Sequence, residues 1–143
     1  MSESQEIRHA TTVALCGAAI LIEGPSGSGK SSLALDLMAW GADLVADDRT
    51  LLRVADGKVL AEAPPNLPSL IEARGIGLLP AQLVGPVPLK LVIRMDPVET
   101  ARLPEPATCC VLGHNVTLIH KSGSAHFAQG VLQYVRGTYA VST

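Results

Sequence analysis

The segment GPSGSGKS at residues 24–31 constrains the fold of this chain more than any other feature. It matches G-x-x-x-x-G-K-[ST], the phosphate-binding loop (P-loop), whose backbone N–H groups surround the phosphates of a nucleotide. A short apolar run at residues 18–22 precedes the loop, and apolar residues at helical spacing follow it. A flexible glycine- and serine-rich linker would not need these flanking elements. The motif therefore predicts a strand, a phosphate-binding turn and a helix, in that order.

The residue types of this loop suit a polyphosphate ligand. Glycine at positions 27 and 29 lets successive N–H groups point into one concavity, where a Cβ would interfere. Lys30 can reach the β- and γ-phosphates, and the Ser31 hydroxyl can ligate Mg²⁺. The sequence therefore predicts binding of a nucleoside triphosphate or a similar polyphosphate. The predicted nucleotide-binding residues are Gly24, Pro25, Ser26, Gly27, Ser28, Gly29, Lys30, Ser31 and Ser32.

Strands outnumber helices in the predicted secondary structure. Residues 11–15 and 18–22 read as two strands joined by a tight turn at Cys16-Gly17, and Asp56-Gly57 predicts a second hairpin. Buried strands are also predicted for DLVADD, LKLVIRMD and VTLIH. This pattern predicts an α/β fold with a mixed β-sheet.

Two helices are predicted with more detail. The helix after the P-loop carries Leu33, Leu37 and Trp40 on one face, and Gly41 is expected to end it. A second helix is predicted for residues 125–136. The segment APPNLPSLIEARGIG is broken up by prolines and is expected to end in a short helix.

Size and composition limit the class of protein. With 143 residues, of which 48% are hydrophobic, the chain is expected to form a single domain over residues 1–143, with 1–8 as a loose terminus. The formal net charge of -2 argues against a nucleic-acid partner. No apolar run approaches the roughly 20 residues of a membrane span, and no secretory signal is apparent. Three cysteines at these spacings suggest neither disulfides nor zinc, so the cytoplasm is the expected location.

A pair of acidic residues follows the strand after the P-loop helix. In P-loop proteins an acid at the end of a neighbouring strand completes the metal site or accepts a proton. Asp47 and Asp48 occupy such a position, and adjacent side chains of an extended chain point in opposite directions. We therefore expect one of the two to face the phosphates. Asp96 is a weaker candidate because Asp96-Pro97 reads as a turn.

Four segments in this order resemble a known family. His9, the P-loop, the VADDRT segment and the motif E-x-R-G-I-G at residues 72–77 occur at the separations of the HPr kinase/phosphorylase family. The resemblance extends over residues 9 to about 80 and implies a P-loop-containing kinase core, in a short form that consists of the C-terminal catalytic domain only.

The resemblance also implies roles for individual residues. Asp48 matches the catalytic acid/base, with Asp47 assisting it, and His9 matches a histidine that tunes the acid. Glu72 matches a Mg²⁺ ligand alongside Ser31. The positive charges expected to act on the transferring phosphoryl group are Lys30, Arg74 and Arg102.

The family's activity and assembly are implied in the same way. Its members use ATP and Mg²⁺ to phosphorylate a serine of HPr, the phosphocarrier protein of the phosphotransferase system. Many also reverse the step with inorganic phosphate and release pyrophosphate. The resemblance implies a hexamer, in which a loop from one subunit reaches the next. Here that loop holds Lys121 and Gly123, but Ser124 and Ala125 replace the family's arginine and asparagine.

Two other functions are open from the residues alone. A P-loop could serve a kinase of small metabolites, although 143 residues leave little room for a lid and a substrate pocket. It could also serve a non-catalytic nucleotide-binding regulatory module. The N-K-x-D motif that reads guanine is not found in the sequence, which argues against GTP. Phosphorylation of HPr, of a small molecule, or of neither would separate the three.

Overall fold

The computed structural model describes residues 4–140, which form strands and two helices. Their bounds are β1 Gln5–Arg8, β2 Ala10–Leu15, β3 Ala18–Glu23, α1 Lys30–Ala39, β4 Asp43–Ala46, β5 Thr50–Ala55, β6 Lys58–Glu62, β7 Leu70–Ala73, β8 Gly77–Pro80, β9 Val87–Glu99, β10 Ala107–Val111, β11 His114–Ser122 and α2 Phe127–Tyr139. The predicted α/β fold with a mixed sheet is confirmed. Over this part of the chain, neither helix has the length and apolar character needed to cross a bilayer.

One large sheet carries most of the strands. Its order is β1-β5-β6-β9-β3-β2-β4, while β11 pairs with β9 and β10 pairs with β11. β9 runs parallel to β3 and β11 and antiparallel to β6, so the sheet is mixed. β7 and β8 form a separate hairpin. The thirteen-residue β9 thus connects β3, the strand that enters the P-loop, with β6 and β11.

The central strands are buried on both faces. Along β3, Ile20 and Ile22 pack with the helices in one core cluster, while Leu21 packs with Leu52 and Val92 in another. The second cluster fills the space between the central strands and the β5–β6 hairpin. A strand covered on both faces reads as an unbroken apolar run. The strand predicted at residues 18–22, before the P-loop, is confirmed as β3.

Both predicted hairpin turns are present. Cys16 and Gly17 have φ angles of 55° and 71° between β2 and β3, and Asp56 and Gly57 have φ angles of 53° and 74° between β5 and β6. Two consecutive positive φ angles are typical of the turn that joins two-residue hairpins.

The helices follow the predictions with small differences. Leu33 and Leu37 are buried in α1, but Trp40 is 55% exposed, so its predicted place on the apolar face is wrong. Trp40 is the residue at which the helix ends, and Gly41 follows with a φ of 112°. The second helix begins at Phe127 rather than at residue 125.

The prediction of a loose terminus at residues 1–8 is wrong for β1. Gln5–Arg8 pairs antiparallel with β5, from Gln5 opposite Arg53 to Arg8 opposite Thr50. An edge strand that alternates between partly buried and exposed residues has no apolar run to mark it. Residues 1–3 lie outside the described part of the chain.

Two further expectations are corrected by the strands. The segment expected to end in a short helix forms the β7–β8 hairpin instead. The turn expected at Asp96-Pro97 is absent, because β9 continues through these residues to Glu99.

Candidate active site

The P-loop joins β3 to α1 through a turn that requires glycine. Gly27 and Gly29 have φ angles of 81° and 97°, a region of backbone conformation that residues with a Cβ rarely adopt. Gly24 is constrained by space instead, because a Cβ there would lie 2.8 Å from the Cβ of Met95. The loop can therefore follow this path only with its glycines in place.

Charged residues fix the strand end before the loop. The carboxylate of Glu23 accepts a hydrogen bond from Arg94 Nε at 2.7 Å and from Arg8 at 3.1 Å. These two arginines lie on β9 and β1. Three strands are thus tied together one residue before Gly24.

Lys30 folds back over the loop. Its Nζ donates to the carbonyl oxygen of Gly24 at 2.9 Å and to that of Pro25 at 3.3 Å. The ammonium group of Lys30 therefore lies against the backbone carbonyl groups at the start of the loop. The first turn of α1 has no acidic residue and its first residues have no side-chain cap.

The P-loop borders a cavity of about 210 Å³. Residues from three separate segments of the sequence line it, and most of their side chains are polar or charged. The lining residues are Ser26, Gly27, Gly29, Lys30, Ser31, Asp48, Glu72 and Arg74. The structure thus brings one of the two paired aspartates and the E-x-R-G-I-G motif together at the phosphate-binding loop.

Asp47 is held by three hydrogen bonds. Its Oδ1 accepts from Ser31 Oγ at 2.7 Å and from Thr11 Oγ1 at 2.9 Å, and its Oδ2 accepts from the Glu72 N–H at 3.0 Å. The carboxylate therefore connects the P-loop helix, β2 and the β7–β8 hairpin. A carboxylate next to the P-loop serine is well placed to orient that serine toward Mg²⁺.

Asp48 has different surroundings. Its φ angle is 70°, and its N–H donates to Thr11 Oγ1 at 3.1 Å. The side chain is exposed and lines the cavity, and among residues 4–140 its carboxylate accepts no hydrogen bond. The two neighbouring acids are thus separated into one that is bound to the protein and one that is available to a ligand.

The oxygen ligands at and beside the cavity fit Mg²⁺. Ser31 and Glu72 line the cavity, and Asp47 joins them through hydrogen bonds from the Ser31 hydroxyl and the Glu72 backbone N–H. The described part of the chain contains no cluster of three His, Cys, Asp or Glu residues that would enclose a metal. Nucleotide-bound Mg²⁺ needs no such enclosure, because phosphates and waters supply most of its ligands.

Two predicted residues do not line the cavity. His9 is exposed between β1 and β2, and Arg102 is exposed in the segment between β9 and β10. Lys121 does not line the cavity either; its Nζ donates to the Ser122 carbonyl at 3.1 Å and lies 5.9 Å from the centre of the Phe127 ring.

Thr11 was not recognised in the sequence. It reads as an ordinary strand residue, yet it is fully buried and contacts both aspartates. The only hint was a pair of threonines, Thr11 and Thr12, within an otherwise apolar strand.

Known proteins resemble this chain in sequence. The model of the HPr Serine kinase C-terminal domain family matches residues 1–85, more than half of the 143 residues. An HPr kinase/phosphorylase of Bordetella petrii is 44% identical over 72 residues, which are 50% of this chain and 23% of that protein. One of Verminephrobacter eiseniae is 37% identical over 119 residues, covering 73% of this chain and 37% of that protein. The chain thus spans well under half of these relatives.

A solved structure resembles it in fold. The Hpr(Ser) kinase/phosphatase from Coxiella burnetii superposes with a TM-score of 0.79, covering 92% of this chain and 89% of that one at 23% identity. The family match, which includes the P-loop, the paired aspartates and the E-x-R-G-I-G motif, identifies the chain more closely than this fold similarity does. The chain belongs to the HPr Serine kinase C-terminal domain family.

Proposed function

We propose that this domain transfers the γ-phosphoryl group of ATP to a serine of the phosphocarrier protein HPr. The observation that carries the proposal is the separation of the paired acids. Asp47 is bonded to the P-loop serine, whereas the carboxylate of Asp48 lines the same cavity as Lys30 without a protein partner. Phosphoryl transfer to an alcohol requires these two arrangements together.

The nucleotide is proposed to bind along the P-loop, at residues 24–32. Backbone N–H groups and the ammonium group of Lys30 would contact its phosphates. Ser31 and Glu72 would hold Mg²⁺, with Asp47 orienting Ser31. The bound ion neutralises charge on the phosphates, as it does in other P-loop proteins.

Asp48 is proposed as the general base. The serine hydroxyl of HPr would lose its proton to this carboxylate as its oxygen bonds to the γ-phosphorus, and the bond from that phosphorus to the β–γ bridging oxygen breaks to release ADP. A base with no other hydrogen-bond partner can accept this proton directly. Arg74, which lines the cavity, would offset negative charge on the transferring group.

The same group can serve the reverse reaction. An oxygen of inorganic phosphate would attack the phosphorus of phosphoserine, and the protonated Asp48 would return its proton to the departing serine oxygen. The products are serine and pyrophosphate. One carboxylate suffices because each direction leaves it in the protonation state that the other needs.

His9 and Arg102 are proposed to act from outside the lined cavity. Both are exposed, so both are accessible to the acceptor protein or to a neighbouring subunit. The family resemblance supports a role for His9 beside the acid/base and for Arg102 near the phosphoryl group. It also supports assembly into a hexamer in the cytoplasm, which light scattering of the purified protein would test.

The activity is tested with Mg²⁺, γ-labelled ATP and the HPr of the same organism. The expected result is label on a serine of HPr, located by mass spectrometry. Adding inorganic phosphate to the phosphorylated HPr should then release pyrophosphate. Label on a small molecule in a cell extract, with none on HPr, would contradict the proposal and favour a metabolite kinase. Absence of label on either, with ATP still bound, would favour a regulatory module.

The role of Asp48 is tested by substitution. Asp48→Asn is expected to lower the transfer rate about 10²- to 10⁴-fold because the amide cannot accept the proton. Binding of ATP should remain close to that of the unaltered protein, since Asp48 makes no bond to the P-loop. Asp43→Asn, an exposed carboxylate at the start of β4, is the matched control. Unchanged transfer by Asp48→Asn would refute the assignment.

A further inference from the structure

We infer that Thr11 is a positioning residue that sets the relative placement of the two aspartates. This inference rests on the proposed function. Thr11 lies on β2, is 0% exposed and does not line the cavity. Its hydroxyl contacts both acidic residues, so we expect it to act on the reaction through them.

A single hydroxyl is shared by the two aspartates in complementary ways. Thr11 Oγ1 donates its proton to Asp47 Oδ1 at 2.9 Å and accepts the N–H of Asp48 at 3.1 Å. A hydroxyl has one proton to donate, and the proton is used by the carboxylate while a lone pair serves the amide. The contact with Asp47 therefore fixes a side chain, and the contact with Asp48 fixes the backbone.

The position of these contacts explains why they are needed. The backbone pairing of β2 with β4 ends at Thr12 opposite Ala46, with an irregularity next to it. Asp47 and Asp48 lie beyond that last pair and have no ladder to hold them. Beyond the last backbone pair, the two hydrogen bonds of the Thr11 hydroxyl hold Asp47 and Asp48 in place.

The conformation of Asp48 makes its amide contact important. Its φ of 70° lies in the left-handed region, which is uncommon for residues with a side chain. This backbone geometry turns the carboxylate toward the cavity while Asp47 faces Ser31. The N–H bond to Thr11 is the hydrogen bond that holds Asp48 in this geometry.

The adjacent threonine provides a matched control. Thr12 is also 0% exposed, and its Oγ1 lies 2.8 Å from Oγ1 of Thr50, whose hydroxyl donates to the carbonyl of Ala10 at 3.0 Å. Among the described residues, its side chain makes no hydrogen bond to either aspartate. Substituting Thr12 therefore removes a buried hydroxyl from the same strand without touching the acids.

The experiment compares the unaltered protein with Thr11→Val, Thr11→Ser and Thr12→Val. Valine keeps the β-branched shape and removes the hydroxyl, whereas serine keeps the hydroxyl. For phosphoryl transfer from ATP to HPr, Thr11→Val is expected to lower kcat about 10- to 100-fold, the effect of a small misplacement of catalytic groups. KM for ATP should change little. Thr11→Ser and Thr12→Val should keep a kcat close to the original.

A second readout does not depend on HPr. Hydrogen exchange of the Asp48 amide, followed by NMR, should be accelerated in Thr11→Val but not in Thr11→Ser or Thr12→Val. If the unaltered protein fails to phosphorylate HPr, the proposed function fails, and the amide exchange still decides whether Thr11 holds Asp48. Unchanged exchange in Thr11→Val overturns the inference. An equal loss of kcat in Thr12→Val also overturns it, because general destabilisation would then explain the effect.

Discussion

The link between Asp47 and the β7–β8 hairpin can be tested with a single substitution. The hairpin forms its own two-stranded sheet, and the N–H of Glu72 donates to Asp47 Oδ2 at 3.0 Å. In Asp47→Asn, the amide oxygen can replace Oδ1 and still accept from Ser31 and Thr11. Its NH₂ group then faces the N–H of Glu72, so that one hydrogen bond is lost and two donors oppose each other.

The expected size of the effect follows from the bond that is lost. A hydrogen bond to a charged group contributes about 1.5–3 kcal/mol to stability. Because Glu72 is exposed, we expect the lower end, about 1.5 kcal/mol. A difference of about 1.4 kcal/mol corresponds to a factor of ten in an equilibrium constant. Hydrogen exchange at the Glu72 amide should therefore be roughly tenfold faster in Asp47→Asn.

The assay is NMR-detected amide exchange on the nucleotide-free protein. Asp43→Asn is the control, because Asp43 is an exposed acid at the start of β4, the strand that precedes Asp47, and among the described residues it makes no hydrogen bond to the hairpin. An unchanged rate at Glu72 in Asp47→Asn would refute the reasoning. Equal acceleration in both variants would also refute it, since the cause would then be charge rather than the bond.

Three further outcomes are expected. Gly24→Ala should lower the free energy of unfolding in urea by about 1–3 kcal/mol, since its Cβ would lie 2.8 Å from that of Met95; Gly123→Ala, with open space around it, should not. Ser28→Ala should raise the Tm slightly, because Ser28 Oγ is buried without a hydrogen-bond partner among the residues described; a lower Tm would contradict this. Burial raises the pKa of the Cys109 thiol, so near pH 8.5 it should react with iodoacetamide more slowly than N-acetylcysteine does.

The features that could be predicted from the sequence depend on neighbouring residues. The P-loop, the Cys16-Gly17 turn and the Asp56-Gly57 turn each follow from a few adjacent side chains and their backbone preferences. The start of α1 at Lys30 follows from the same local pattern. These elements were correct because tertiary contacts reinforce what the local sequence already favours.

The β7–β8 hairpin was predicted wrongly because its structure depends on distant contacts. The letters SLIEAR include good helix formers, and local propensity alone favours a helical turn. In the fold, Ile71 and Ala73 are buried while Glu72 between them is exposed, the alternation of a strand. The hydrogen bond from Glu72 to Asp47 joins residues 25 positions apart. No residue close to the hairpin in the sequence indicates that this hydrogen bond will form.

The assignment of the paired aspartates was beyond sequence reasoning for a similar reason. Alternation predicted that Asp47 and Asp48 would face different surroundings, but not which one would be bound to Ser31. The contacts of Asp47 join residues far apart in the sequence, such as the hydrogen bond from Thr11, which lies 36 residues before it. The resemblance implies that Asp48 is the acid/base, and this assignment stays a prediction.

The central position of β9 has a consequence for synthesis of the protein on the ribosome. β3, which leads into the P-loop, lies between β2 and β9, and β9 begins only at Val87. A nascent chain that has emerged only as far as residue 85 carries every P-loop residue but leaves one edge of β3 without its partner strand. Leu21 and Ile22 would then lack the side chains of Val92 and Ile93 that cover them. The half of the sequence that holds the P-loop must therefore wait for the downstream half before β3 has both of its partner strands.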